Sequence, residues 1–197
     1  MLQIDQLTCL VSCPAGTSAA LRRAACLASM AGRPAERGPT LHVVSLRAVD
    51  ESAFAETVRA QIESVAPGIS FTTHVFSVPD EPEAARRAIQ NFMSEHGDGL
   101  LVLDPPTDRG AVPPLADDWT QALMNELDGP LFVANETAPS APTKTILVPT
   151  DLSEESIHTL RHATELAAGY DAPVVLLHVI DTSPYVALTT IDRLSLG

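Results

Sequence analysis

The chain has 197 residues, 45% of them hydrophobic, and carries 25 acidic against 12 basic side chains for a formal charge of −13. That apolar content is enough for one sizeable core and the start of a second, and it excludes a chain disordered throughout. The acidic field excludes nucleic acid and anionic membranes as partners; with no signal-like opening and no apolar run near the roughly 20 residues of a membrane span, a cytoplasmic location is expected.

In chain order, Gln6 to Ser12 reads as a strand and Thr17 to Ala31 as a helix capped by Thr17 or Ser18. A Gly- and Pro-containing connection, Gly32 to Pro39, leads to a second strand, Leu41 to Leu46. Asp50 or Ser52 opens a helix with Phe54, Val58, Ile62 and Val65 on one face, closed by Pro67-Gly68. Ile69 to Val78 alternates as a third strand, and Ala85, Ala88, Ile89, Phe92 and Met93 mark a third helical stripe ending at Glu95 or His96. Gly99 to Leu103 is a fourth strand, a helix with Trp119, Leu123 and Leu127 follows from Asp117 or Asp118, and Leu131 to Ala134 is a fifth strand. Together these predict a complete five-stranded α/β domain over residues 1–136, followed by a Pro-containing linker over 137–143.

A second unit spans 144–197. Thr145 to Val148 is a short apolar strand ended by Pro149, and Asp151 or Ser153 caps the next helix, with Glu154 and Glu155 in its first turn. Ser156, Thr159, Leu160, Ala163, Leu166, Ala167 and Tyr170 form the stripe expected to face a sheet, and Val174 to Ile180 is the returning strand. Ala20 to Ala28 aligns with Thr159 to Ala167 at the Leu, Ala, Leu and Ala core positions without a gap, which implies an internal repeat of about 135 residues. The second copy holds only strand, helix and strand, about half a domain. That is too little apolar surface to stand alone, so it is expected either to dock on another surface or to be a piece of a longer tandem protein, the latter being favoured.

The second unit resembles the opening of a universal stress protein domain. The carriers are ILVPTDLS at Ile146 to Ser153, TLRHATELA at Thr159 to Ala167 and LLHVID at Leu176 to Asp181. The resemblance implies a Rossmann-like three-layer α/β fold with a five-stranded parallel sheet, usually dimeric, in which some members bind ATP. In those members an Asp after the first strand lies beside the adenine, and glycines after the fourth strand, spaced G-x-x-G and then G-S or G-T, hold the phosphates. Such glycines let backbone N–H groups reach the phosphates at a helix N-terminus.

Transferred to this chain, Asp151 stands at the adenine-side position, and Val179 where a backbone contact to adenine is expected. The phosphate loop of that copy would fall beyond Gly197. In the first copy the counterpart of Asp151 is near Pro14, and the glycine positions fall near Asp104, Thr107 and Asp117, with Asp118 at the Ser/Thr position. Carboxylates there would repel phosphates by roughly 1 to 4 kcal/mol per close pair, and Pro105, Pro106, Pro113 and Pro114 remove N–H donors. Asp151 also serves as a turn or cap residue without any ligand.

Other candidates carry less. Asp104, Asp108, Asp117 and Asp118 read as solvated loop carboxylates before a cation site. Cys9 and Cys26 read as buried thiols and Cys13 as an exposed strand-end thiol, without metal or redox spacing. His158 and His162, four apart on one helix with Glu155 nearby, read as surface histidines, and His178 as a hydrogen-bonding structural residue. Asn135-Glu136-Thr137 fits a glycosylation acceptor, which is idle without secretion, and no G-x-S-x-G or Walker A motif occurs. The expectation is a non-enzymatic stress-response scaffold or interaction protein, homodimeric or bound to another protein, with no cofactor and no metal. The alternative is an ATP-binding switch or slow ATPase working through Asp151.

Overall fold

In the computed structural model the residues described are 6–11, 18–31, 40–79, 81–97, 99–104, 117–127, 129–134 and 143–179. They fall into two compact units, one within Gln3–Ala141 and one within Pro142–Gly197. The first alternates strand and helix: β1 (Gln6–Val11), α1 (Ala19–Ala31), β2 (Thr40–Ser45), α2 (Glu51–Val65), β3 (Phe71–Val75), α3 (Pro82–His96), β4 (Leu100–Leu103), α4 (Asp117–Glu126) and β5 (Leu131–Val133). All five strands are parallel, in the order β3-β2-β1-β4-β5. This is the α/β sheet that the alternating strand and helix patterns predict.

Burial on both sides explains the near-continuous apolar strands. Leu10, Val44, Leu101 and Leu103 pack with Ala85, Ile89, Phe92 and Met93 of α3 and Leu123 of α4. The alternate strand residues Leu7, Cys9 and Val43 are fully buried, as are Leu21 of α1 and Ile62 of α2. Helices α1 and α2 therefore cover one face and α3 and α4 the other. Gly99 precedes β4 because a Cβ there would run into the Gln6 carbonyl, so only glycine lets β4 start alongside β1.

The helix starts follow local chemistry. Asp50 caps α2 by accepting from the Ala53 N–H at 2.8 Å, and Pro82 stands at the start of α3, where its missing donor costs nothing. The third strand is shorter than the alternation over 69–78 predicts. Phe76 and Val78 continue to pack on the core, but only the Phe76 N–H, donated to Ser45 at 2.8 Å, extends the pairing. The predicted helix holding Trp119 is α4, in which Leu123 is buried. Cys13 and the proline loop lie outside the described residues, as do the acceptor at 135–137 and the predicted linker up to 142.

The second unit comprises β6 (Ile146–Pro149), α5 (Glu154–Tyr170) and β7 (Val174–Leu177), with β6 and β7 paired in parallel. Pro149 is the last residue of β6, not its terminator; at a strand end the ladder does not need its missing N–H. On α5, Ala163 and Ala167 are buried and Ser156, Leu160, Leu166 and Tyr170 half-buried, as the stripe requires, whereas Thr159 is exposed at the stripe's margin. Large apolar side chains stay open in this unit, including Leu147, Ile157, Val175, Leu176 and Leu177. Among the described residues no helix is long and apolar enough to cross a membrane.

Candidate functional site

In the first unit the chain runs from β1 to β2 and β3 on one side, then crosses to β4 on the other, so the carboxyl ends of β1 and β4 flank the topological switch point. In open parallel sheets this crevice is where ligands bind, with anions drawn to the N-terminus of the helix that follows the first strand. Here that helix is α1, and it has no acidic residue in its first turn. Its negative complement comes from across the sheet. Asp104, directly after β4, accepts from the Ala20 N–H at 2.8 Å through Oδ1 and from the Ser18 hydroxyl at 2.9 Å through Oδ2. Ser18 Oγ accepts in turn from the Leu21 N–H at 3.0 Å, and the Ser18 N–H is donated to Gln61 Oε1 at 3.2 Å.

The orphan Ala20 N–H of α1 is thus taken up by a built-in carboxylate and the Leu21 N–H by the Ser18 hydroxyl, and Asp104 is only 6% exposed. The sequence marks Asp104 as hostile to phosphate; the structure adds that its carboxylate accepts from the Ala20 N–H and the Ser18 hydroxyl at the start of α1. Cys9, buried beside it on β1, has a thiol pKa raised well above the usual value, first by burial and then by the Asp104 charge. Asp117 and Asp118 begin α4, with their side chains outside the described set, as are Thr107 and Asp108. Ser18 is legible in the sequence as a cap, but Gln61 and the Asp104 partnership are not, because they depend on strand order.

In the second unit Asp151 follows β6 and is engaged locally through one carboxylate oxygen. Its Oδ1 accepts from the Ser153 N–H at 2.9 Å and from the Ser156 hydroxyl, and the side chains of Ser153 and Ser156, followed by the Ser153 backbone, hold its carboxyl far below the usual range. Ser153 is the N-cap of α5, accepting from the Ser156 N–H at 3.3 Å. Between them Leu152 is 72% exposed at φ 67°, a left-handed conformation costing a leucine about 1 to 2 kcal/mol. The turn is therefore strained locally and held by its flanking side chains. His178 Nδ1 lies 2.7 Å from the Thr150 carbonyl and ties the ends of β7 and β6 together, the structural role its strand-end position suggests. Parallel register sets Asp151 and Val179 at the same end of this pair, both exposed. His158 and His162 are exposed on α5.

A hollow of about 280 Å³ lies between α3 and the end of α4, lined by Gln90, Met93, Ser94 and Glu126 among others. Its carboxylate is committed to Arg86 at 2.7 Å and Gln90 at 2.9 Å, which leaves no reactive group there. Sequence reasoning passed over one further cluster, His42, His74 and His96, carried on β2, β3 and the last residue of α3. Its signal, a histidine inside each of two adjacent strands, becomes visible once their register is known.

Comparison with known proteins places the second unit. The family model described as the universal stress protein family matches residues 142–196. A stretch of 45 residues is 42% identical to Universal stress protein MJ0531 of Methanocaldococcus jannaschii, covering 23% of this chain and about a quarter (26%) of that protein's length. A universal stress protein structure from Archaeoglobus fulgidus aligns with a TM-score of 0.43 and 15% identity, over 66% of this chain and 97% of that one. Over residues 142–196, then, this chain is similar to the universal stress protein family.

Proposed function

We propose that this chain is a non-enzymatic stress-response protein that works by protein interaction, and that its first unit is a structural platform without a nucleotide site. The observation that carries this reading is Asp104: a buried carboxylate bonded to Ser18 and Ala20 stands where a nucleotide's phosphate would need those donors. A phosphate brought there meets like charge, and displacing Asp104 would strand a buried carboxylate. The stress-response assignment rests on the family match over 142–196. Interaction is supported by the second unit, whose strand β7 leaves Val175, Leu176 and Leu177 between 44% and 53% exposed. Consecutive exposed residues mean that both faces of the strand are open, and such a surface is covered by a partner, of which a second copy of the chain is the simplest.

The alternative, an ATP-binding switch, has in its favour that Asp151 and Val179 are exposed at one end of the β6–β7 pair. Calorimetric titration of ATP with magnesium into the chain and into Asp151→Ala separates the two. No micromolar binding by either is the expected result. Micromolar binding that disappears in Asp151→Ala would replace the interaction reading with the switch, and binding retained in the variant would place a nucleotide elsewhere and overturn both.

A further inference from the structure

His42 on β2 and His74 on β3 point to the sheet face covered by α3, and His96 is the last residue of α3, so strand register and helix length bring three imidazoles together. Each offers a ring nitrogen, and these atoms all lie within 4.8 Å of one another. The rings are sandwiched with Phe92, which stacks on His96 at a centroid distance of 4.1 Å and meets His42 and His74 edge-on. We propose that His42, His74 and His96 form a binding site for a single divalent transition-metal ion of the zinc class.

Second contacts prepare the nitrogens for this. His42 Nε2 lies 3.0 Å from Gln6 Oε1, an acceptor, so the proton sits on Nε2 and Nδ1 keeps its lone pair. His96 Nδ1 lies 3.0 Å from the Phe92 carbonyl, which places its proton on Nδ1 and leaves Nε2 the lone pair. Fixing the tautomer through the non-ligating nitrogen, with an amide or backbone oxygen as acceptor, is how metal-binding histidines are oriented. His74 Nε2 stands 3.1 Å from His42 Nδ1 and is the donor of that pair. It becomes a ligand by moving its proton to Nδ1 through solvent, so three neutral imidazoles bind without net proton release.

The spacing suits the ion. Zinc–nitrogen bonds of about 2.0 to 2.1 Å in tetrahedral geometry put ligand nitrogens roughly 3.4 Å apart. The His42–His74 pair is already near that value, and side-chain rotation closes the remaining separations. His42 is buried while His74 and His96 are half-buried, which leaves an approach from solvent. Three imidazoles with a water in the fourth position match a nitrogen-preferring ion such as zinc, and oxygen-seeking magnesium or calcium would be rejected. The site uses none of the residues bonded around Asp104 and is independent of the nucleotide question.

The test uses the full chain freed of metal with a chelator, titrated with zinc by calorimetry and with cobalt by visible absorption. One ion per chain, a tetrahedral cobalt spectrum and a rise in Tm with zinc are expected. His74→Gln and His96→Gln, whose side chains are half-exposed and whose folding is checked by circular dichroism, should each weaken binding by at least about 100-fold, and Gln6→Ala by about 10-fold. His158→Gln/His162→Gln should bind as the original does. Absence of stoichiometric binding to the unmodified chain would overturn the proposal. So would binding that survives His74→Gln, or that is lost only when His158 and His162 are replaced.

Discussion

The two strand–helix–strand units, β1-α1-β2 and β6-α5-β7, carry the same helical pattern with different outcomes. Leu21, Ala24, Leu27 and Ala28 of α1 are 0 to 4% exposed, because β4 and β3 extend the sheet on either side and α2 packs beside the helix. At the aligned positions of α5, Ala163 and Ala167 are buried, but Leu160 and Leu166 are only half-buried, over a sheet of two strands. An apolar stripe therefore specifies which face turns inward, and the width of the sheet decides how much of it leaves water. The strand-end carboxylates after β4 and β6 differ in the same sense. Asp104 is buried and bonded across the sheet, whereas Asp151 is exposed and bonded within five residues of itself.

Substitutions at matched positions sharpen this contrast. Leu21→Ala should cost about 2 to 5 kcal/mol, whereas Leu160→Ala should cost less than about 1.5 kcal/mol, measured by urea unfolding; equal costs would mean that the two helices are buried alike. Asp104→Ala removes both charge-assisted bonds and leaves the Ala20 N–H and the Ser18 hydroxyl without their acceptor, for an expected loss of about 3 kcal/mol. Asp151→Ala should leave the unfolding of the first unit unchanged, and a shift there comparable to that of Asp104→Ala would break the distinction.

The pH response of the metal-free chain should also divide between the units. His42 titrates at about 4 in the folded chain against 6.5 for a free side chain. The unfolded state therefore binds the extra proton between these values, and stability is level above the upper one. It falls as pH drops through the window, by up to about 3 kcal/mol from this residue. His42→Gln should flatten that slope in denaturant titrations of the first unit. The depressed carboxyl of Asp151 works lower, contributing above the ordinary carboxylate pKa and losing its contribution only in acid. The smallest effect concerns Cys9, whose buried, raised thiol should resist alkylation at mildly alkaline pH until the first unit unfolds. Labelling of the native chain at Cys9 would contradict its burial.

What the sequence made legible follows the range of each interaction. Strands, helices and caps such as Asp50, Ser18 and Ser153 were readable because each depends on neighbours within a few residues. Asp151 was readable as a turn former for the same reason. The Ser18–Asp104 bond joins residues 86 apart, and the His42–His74 contact residues 32 apart. Both arise from strand order and register, which no local pattern states. The charge of Asp104 was visible, but its bonds to Ser18 and Ala20 were not. His158 and His162 stood out by spacing yet are exposed, while the histidines that do converge are spread over three elements.

The most direct test is amide hydrogen exchange by mass spectrometry at a low and a high chain concentration, comparing β1-α1-β2 with β6-α5-β7. Strong protection of the first that is independent of concentration is expected, together with weak protection of the second that rises as copies associate. Equal protection of the two at the lower concentration would contradict the account.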